Sequence, residues 1–391
     1  MLITKTEVKI LKYRSSFPYF DEDNVRQILA DITAILRSGQ ISGGSYTKKL
    51  EQRFGEFTGA KHAIAVSSGC ASLEIALRYF GIKDREVIVP TNTFVATPNS
   101  VVFAGGKPIF ADINEDTLCI DLSDVESRIS SKTAGVIVVH VAGLVCPETN
   151  KLRNLCKENG LFLIEDCSHA HGATINDKMA GTLGDVGCFS FAPTKNMTTG
   201  EGGILVSDDA RLDIAARFMR NRGIDSERLM VMLGHSWMMS EIDAVLGLHQ
   251  LENLNSFVDR RNEIAQYYNE NLKTVTGVSL FKTPPNIKHG YHKYPIKLDR
   301  DLDAEKVVSI LKEQYGIETS RVYYPPCHLH PYYKATFGTK EGDFPVAEKV
   351  LKQTFTLPIY VGLTQEDVSY ITNALDLSIQ TLRDQRRQIQ K

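Results

Sequence analysis

A chain of 391 residues with 42% apolar and 24% charged side chains has the make-up of an ordinary globular protein, long enough for two or three domains. Its formal net charge of -2 leaves no basic footprint for nucleic acid, and short clusters such as Arg383-Asp384-Gln385-Arg386-Arg387 read as a solvated helix end. No run approaches the roughly 20 apolar residues of a membrane span, the N-terminal MLITKTEVKILKYRSS lacks a signal-peptide core, and the expected location is cytoplasmic.

In chain order, residues 25–36 predict a helix, with Asp21 or Asp23 as its cap and Ile28, Ile32 and Ile35 on one face. The glycines at 39, 43 and 44 mark a loop, and residues 48–57 resume a helical pattern. Strands and helices then alternate. Residues 62–67, 86–90, 107–112, 135–140, 161–166, 186–191 and 203–207 read as strands. Residues 71–80, 94–103 and 150–159 read as the helices between them. Such alternation predicts a mainly parallel sheet sandwiched by helices, with functional loops beyond the carboxyl ends of the strands.

Residues 240–255 predict a helix capped by Ser240, and 258–272 a second, polar one. Thr283-Pro284-Pro285 breaks the chain. A short strand at 294–298, a helix at 303–314 and a capping box at Thr364-Gln365-Glu366-Asp367 follow. The denser breaks place a smaller α+β domain at 256–391, after a large α/β domain with an N-terminal arm at 1–255. The seven cysteines, Cys70, Cys119, Cys146, Cys156, Cys167, Cys188 and Cys327, are odd in number and hold no C-x-x-C pair. They predict buried small side chains, with no disulfide framework and no metal site.

Two strand ends carry chemistry. The apolar run 161–164 ends in Glu165-Asp166, and the strand at 186–191 leads into Pro193-Thr194-Lys195-Asn196 and the glycine-rich Gly200-Glu201-Gly202-Gly203. A carboxylate at one strand end and a lysine after another are what a pyridoxal phosphate (PLP) enzyme needs. The amine bonds the cofactor aldehyde as a Schiff base, and the acid keeps the pyridine nitrogen protonated so that the ring accepts electrons. Gly69, Cys70 and Ala71 open a helix after a strand, where free N–H groups and the helix dipole suit a phosphate.

Cys188-Phe189-Ser190-Phe191 with Pro193-Thr194-Lys195-Asn196 and Gly200-Glu201-Gly202-Gly203 resembles the signature of the DegT family. These are PLP-dependent sugar aminotransferases of fold type I. Val66-Ser67-Ser68-Gly69-Cys70-Ala71-Ser72-Leu73 resembles the family's phosphate loop. Pro90-Thr91-Asn92-Thr93-Phe94-Val95-Ala96-Thr97 resembles its ring-stacking segment, and Glu165-Asp166-Cys167-Ser168-His169-Ala170-His171-Gly172 its acidic strand end. Tyr323-Tyr324-Pro325-Pro326-Cys327-His328 and Leu357-Pro358 resemble C-terminal landmarks, so the likeness runs from about residue 18 to 380.

The resemblance implies Lys195 as the Schiff-base lysine and proton carrier, Asp166 as partner of the ring nitrogen, His169 near the ring hydroxyl and Phe94 stacked on the ring. It implies Ser190 as a second phosphate hydroxyl beside the backbone of Gly69, Cys70 and Ala71. At Gly234-His235-Ser236-Trp237-Met238-Met239-Ser240 the chain departs from the family. Ser236 stands where an Asn reaches the phosphate of the neighbouring subunit's cofactor, and Met238 stands where an Arg is usual. The implied activity moves an amino group from L-glutamate to a keto sugar, either nucleotide-linked or a keto sugar acid such as an 8-keto-octulosonate. The implied assembly is a homodimer with sites at the interface. Two rivals are a sugar dehydratase of the same fold, whose members carry His at the position of Lys195, and a non-catalytic regulator that retains the fold.

Overall fold

Short apolar strands, nearly all of them buried on both faces, build one seven-stranded sheet. The computed structural model describes residues 11–389; residues 1–10, part of the stretch read as lacking a signal-peptide core, lie outside the described residues. The strands are β1 (His62–Val66), β2 (Glu86–Pro90), β3 (Lys107–Ala111), β4 (Thr133–Val139), β5 (Phe162–Asp166), β8 (Val186–Ser190) and β9 (Gly203–Ser207). Between β5 and β8 lie two-residue strands, β6 (Thr174–Ile175) and β7 (Lys178–Met179). The sheet order is β1-β9-β8-β5-β4-β2-β3, and only β9 runs antiparallel to its neighbours. The expected sandwich with a mainly parallel sheet is thus the observed one.

Helices α1 (Glu22–Ser38), α2 (Ser45–Thr58), α3 (Gly69–Tyr79), α4 (Ala96–Phe103), α5 (Leu122–Arg128), α6 (Thr149–Glu158) and α7 (Ala210–Arg220) connect and flank the strands. Their starts are written locally. Asp21, Ser68, Asp121 and Asp209 each accept a hydrogen bond from a first-turn N–H.

The two helices expected at 240–255 and 258–272 are one helix, α8 (Glu241–Asn271), 31 residues long and capped by Ser240. Asn253, Asn255 and Ser256 are poor helix formers, which suggests a break. Leu251, Leu254, Phe257 and Val258 are nevertheless buried along the same stretch, and packing outweighs propensity. The helix is therefore continuous through the position where the sequence places a domain boundary. It also serves two cores. Leu254 and Val258 pack with the large sheet, whereas Ile264, Ala265 and Tyr268 pack with a second cluster. That second cluster covers an antiparallel sheet of β10 (Val278–Leu280), β12 (Tyr294–Leu298) and β13 (Thr354–Leu357). The short β11 (Ile287–Lys288) pairs with β6 in a separate sheet with β7 and ties the C-terminal segment to the connection between β5 and β8.

The register sets the site. Val139 pairs with Asp166, Asp166 with Cys188, and Ser190 with Gly203. The carboxyl ends of β4, β5 and β8 therefore lie side by side at one edge.

Candidate active site

A cavity of about 470 Å³ opens at that edge, within the size range of small-molecule sites. Lys195, Asp166, His169, Phe94, Ser190, Gly69 and Cys70 all line it. These residues span 127 positions from 69 to 195 and meet because each lies at or shortly after a strand end.

Asp166 ends β5 and is buried. Its Oδ2 accepts from Thr97 Oγ1 at 2.8 Å, and its Oδ1 from the Ser168 N–H at 3.1 Å. Thr97 is itself bonded to Thr93 at 2.7 Å, so the carboxylate is held by a two-threonine chain. Its neighbour Glu165 belongs elsewhere, because successive strand side chains take opposite faces. Glu165 accepts from His140 Nε2 at 2.8 Å and from the N–H groups of Gly181, Leu183 and Gly184 at 2.9, 2.7 and 2.6 Å. His140, Glu165 and Cys167 place possible ligand atoms within 4.8 Å of one another. Both His140 nitrogens and both Glu165 oxygens are already engaged, so the trio reads as an anchor for the turn at 181–184.

Lys195 sits on a turn whose N–H donates to Ala192 O at 3.0 Å. Burial pushes its amine down to about 8, and the nearby Asp166 charge opposes that shift. Gly200 takes φ +84° in the glycine-rich stretch that follows, a conformation that favours glycine.

At the far end, Ser68 caps α3 and Gly69 begins it. A Cβ at Gly69 would meet Ser190 Cβ at 2.7 Å, so only glycine lets the helix end approach that serine. One expected donor is lost. The Ala71 N–H donates to Ser68 Oγ at 3.1 Å, and Ala71 is buried outside the cavity lining. The cradle is therefore Gly69, Cys70 and Ser190. Cys70 departs from the expectation of seven buried thiols: it is exposed to the cavity, whereas the other six are buried.

His169 is buried and its pKa lies well below the ordinary range, first through burial and then through the Lys195 charge. Its Nδ1 accepts from the Ala142 N–H at 3.3 Å. A neutral ring then carries its proton on Nε2 and donates it to Tyr323 Oη at 2.8 Å. This leaves the hydroxyl hydrogen of Tyr323 for the cavity, and burial raises that phenol's pKa, so it stays protonated. Phe94 is 57% exposed, with its ring 6.1 Å from that of Tyr323.

Ser236 is not among the residues lining its own chain's cavity. It is exposed on a surface segment, where its Oγ accepts from Arg222 at 3.1 Å. His292, Lys293, Arg321 and the chemistry of Tyr323 are additions that the sequence did not single out, and Thr97, which ends the ring-stacking segment, had no role assigned at Asp166. Thr97 was findable, one turn past Thr93 at a strand end. Lys293 and Arg321 carry no local signal.

The arrangement fits pyridoxal phosphate on its own chemistry. An amine with a lowered pKa, a buried acid held by two donors, an exposed aromatic face and a helix start narrowed by Gly69 all face one space.

A model of the DegT/DnrJ/EryC1/StrS aminotransferase family matches residues 22–376. The GDP-perosamine synthase of Vibrio cholerae is 34% identical over 361 residues, covering 90% of this chain and 96% of that protein. Helicobacter pylori PseC, an aminotransferase involved in the biosynthesis of pseudoaminic acid, superposes with a TM-score of 0.89 at 27% identity, over 94% of this chain and 99% of that one. A Streptococcus pneumoniae chain described as a sugar aminotransferase, solved in its PLP form, gives 0.87 at 26% identity over 94% and 98% of the two chains.

Proposed function

The chain belongs to the DegT/DnrJ/EryC1/StrS family of PLP-dependent sugar aminotransferases, and from that membership we propose that it aminates a nucleotide-linked keto sugar with L-glutamate as donor. The observation that carries the reading is the convergence of Lys195 and Asp166 on one cavity with the Gly69–Ser190 cradle. The nucleotide carrier is supported by the Vibrio relative, whose name specifies a GDP-linked amino sugar.

Pyridoxal phosphate, when bound, supplies a ring that accepts the electron pair left on the substrate carbon. Gly69, Cys70 and Ser190 would hold its phosphate, Phe94 would cover one ring face, and Asp166 would keep a proton on the ring nitrogen. Tyr323, oriented by His169, points a hydroxyl donor at the same space. Lys195 would take the proton from the amino-bearing carbon of L-glutamate, which leaves as 2-oxoglutarate, and would return a proton to the carbon of the sugar that receives the amino group. An amine near 8 has a substantial neutral fraction at physiological pH, which a solvated lysine lacks.

We place the working form as a homodimer. Leu229, Met230, Val231 and Leu233 are 50–76% exposed on the segment that leads to Ser236, and an apolar run of that kind marks a contact surface. Ser236 would then serve the partner's site.

Incubation with 15N-labelled L-glutamate and a set of nucleotide-linked keto sugars tests the reading. A labelled amino sugar with stoichiometric 2-oxoglutarate is the expected product. A deoxygenated sugar without nitrogen, or no product from any acceptor, would overturn it.

A further inference from the structure

We propose that Lys293 is a specificity-determining residue that receives a carboxylate of the substrate; this rests on the aminotransferase reading of the same cavity. The Lys293 side chain lines that cavity with Lys195, yet it comes from the turn before β12, about a hundred residues later in the chain.

The turn is fixed from several sides. The Lys293 N–H donates to Ala142 O at 3.1 Å, and the Gly290 N–H to Gly143 O at 2.9 Å. Asn196, next to Lys195, donates its Nδ2 to Gly290 O at 2.6 Å. Ala142 and Tyr291 both hold positive φ, +58° and +41°, which non-glycine residues adopt at a cost and keep only where surroundings over-determine them. His292, the preceding residue, is buried with its ring 4.2 Å from that of His169. The placement of Lys293 is therefore built into the fold.

Its charge is not matched. Among the described residues the ammonium has no ion-pair partner. Asp166 is engaged with Thr97 and Ser168, and Glu318, the one acid that acts on Lys293, accepts from the Ser15 N–H at 3.0 Å. Burial, then Lys195 and Arg261, push the Lys293 amine down to about 8. His169 and His292 are held neutral and offer no counter-charge. A second cation, Arg321, lines the same space, but its Nη2 is committed to the carbonyls of Leu351 and Lys352.

A half-buried cation without a partner awaits an anion. The phosphate cradle lies on the β8 side of Asp166, whereas Lys293 lies on the β4 side, against Ala142. The anion is therefore a second one. The reaction's anions besides the cofactor phosphate are a carboxylate, of the donor amino acid or of a carboxylated sugar acceptor, and the diphosphate of a nucleotide carrier; the carboxylate is assigned to Lys293 because the donor's lies one bond from the carbon whose proton Lys195 moves, and both lysines line one cavity.

Calorimetric titration of the PLP-loaded protein with glutarate, with glucuronate and with glucose separates these sources. Wild-type protein should bind glutarate if the donor is read, or glucuronate but not glucose if the acceptor is read. Lys293→Met should weaken that binding by about 10- to 100-fold, the worth of a hydrogen bond to a charged group. Lys293→Arg should stay within a few-fold, and the visible cofactor band should be the same in all three proteins. If the Met variant does not fold, Lys293→Gln carries the comparison. Unchanged affinity in the Met or Gln variant, or no carboxylate binding by wild type, would overturn the proposal. Repeating the titration without cofactor separates the two readings: a protein that takes up no PLP but binds carboxylate through Lys293 sinks the aminotransferase reading alone.

Discussion

At Lys195 and Lys293 the same physics acts twice: each amine is taken out of water, and Lys293 also feels the charges of Lys195 and Arg261. Both sit near 8 in the folded chain against about 10.4 when solvated. The unfolded chain therefore binds more protons between those values, so stability contributed by this pair rises with pH through that window and is lowest below it. Urea midpoints of the cofactor-free protein should rise from pH 7.5 to 9.5, and the rise should flatten in the Lys195→Met, Lys293→Met double variant. An unchanged slope would show that neither amine is desolvated. Thr97 gives a second test at this scale. Thr97→Val removes a donor to a buried carboxylate, which is worth about 1.5–3 kcal/mol. PLP affinity or turnover should fall by at least tenfold while the fold survives; equal affinity and equal turnover would deny Asp166 its role. Lys195 and Asp166 were legible in the sequence because each follows an apolar strand run, so residue type and position carry the chemistry together. His292 and Lys293 were not, since only the packing of the C-terminal segment onto the 142–143 turn brings them in, and Tyr323, legible only as a landmark, gains its role through its bond to His169.

At the scale of elements, α3 and α8 show what local sequence does and does not encode. The start of α3 was readable at Gly69, whereas the closeness of Ser190 was implied only by the family resemblance, because it depends on how β9 inserts between β1 and β8. An antiparallel strand of five buried residues has the same periodicity as a parallel one. Gly69→Ala should cost about 1–3 kcal/mol of overpacking at the cradle and weaken PLP binding accordingly; fluorescence titration of the cofactor would read it, and wild-type affinity would contradict the close approach. For α8 the cap was visible and the continuity was not, as the asparagines near 253–255 mimic a break that burial of Leu254 and Val258 overrides. Ser240→Ala should lower stability by about 1 kcal/mol in urea, with no change in cofactor affinity.

At the scale of the molecule, the sheet order brings β4, β5 and β8 together so that residues far apart in the chain share one cavity. Strand–helix alternation made that architecture readable, because only a parallel sheet with covered faces satisfies it. Ser236 shows the limit of reading one chain: in the proposed homodimer its surface position would serve the partner's site. Sedimentation should therefore give a species of twice 43.6 kDa. Leu233→Asp should split that species and reduce activity; a fully active monomer would refute the shared site. The central claim is that Lys195 bonds and serves a cofactor seated over Asp166. The most direct measurement is the visible spectrum of the PLP-loaded protein on rapid mixing with L-glutamate. Wild type should show a visible band that decays as 2-oxoglutarate appears, and Lys195→Ala should show neither the band nor the decay. A wild-type protein that takes up no PLP, or a Lys195→Ala protein that matches wild type, would contradict the account.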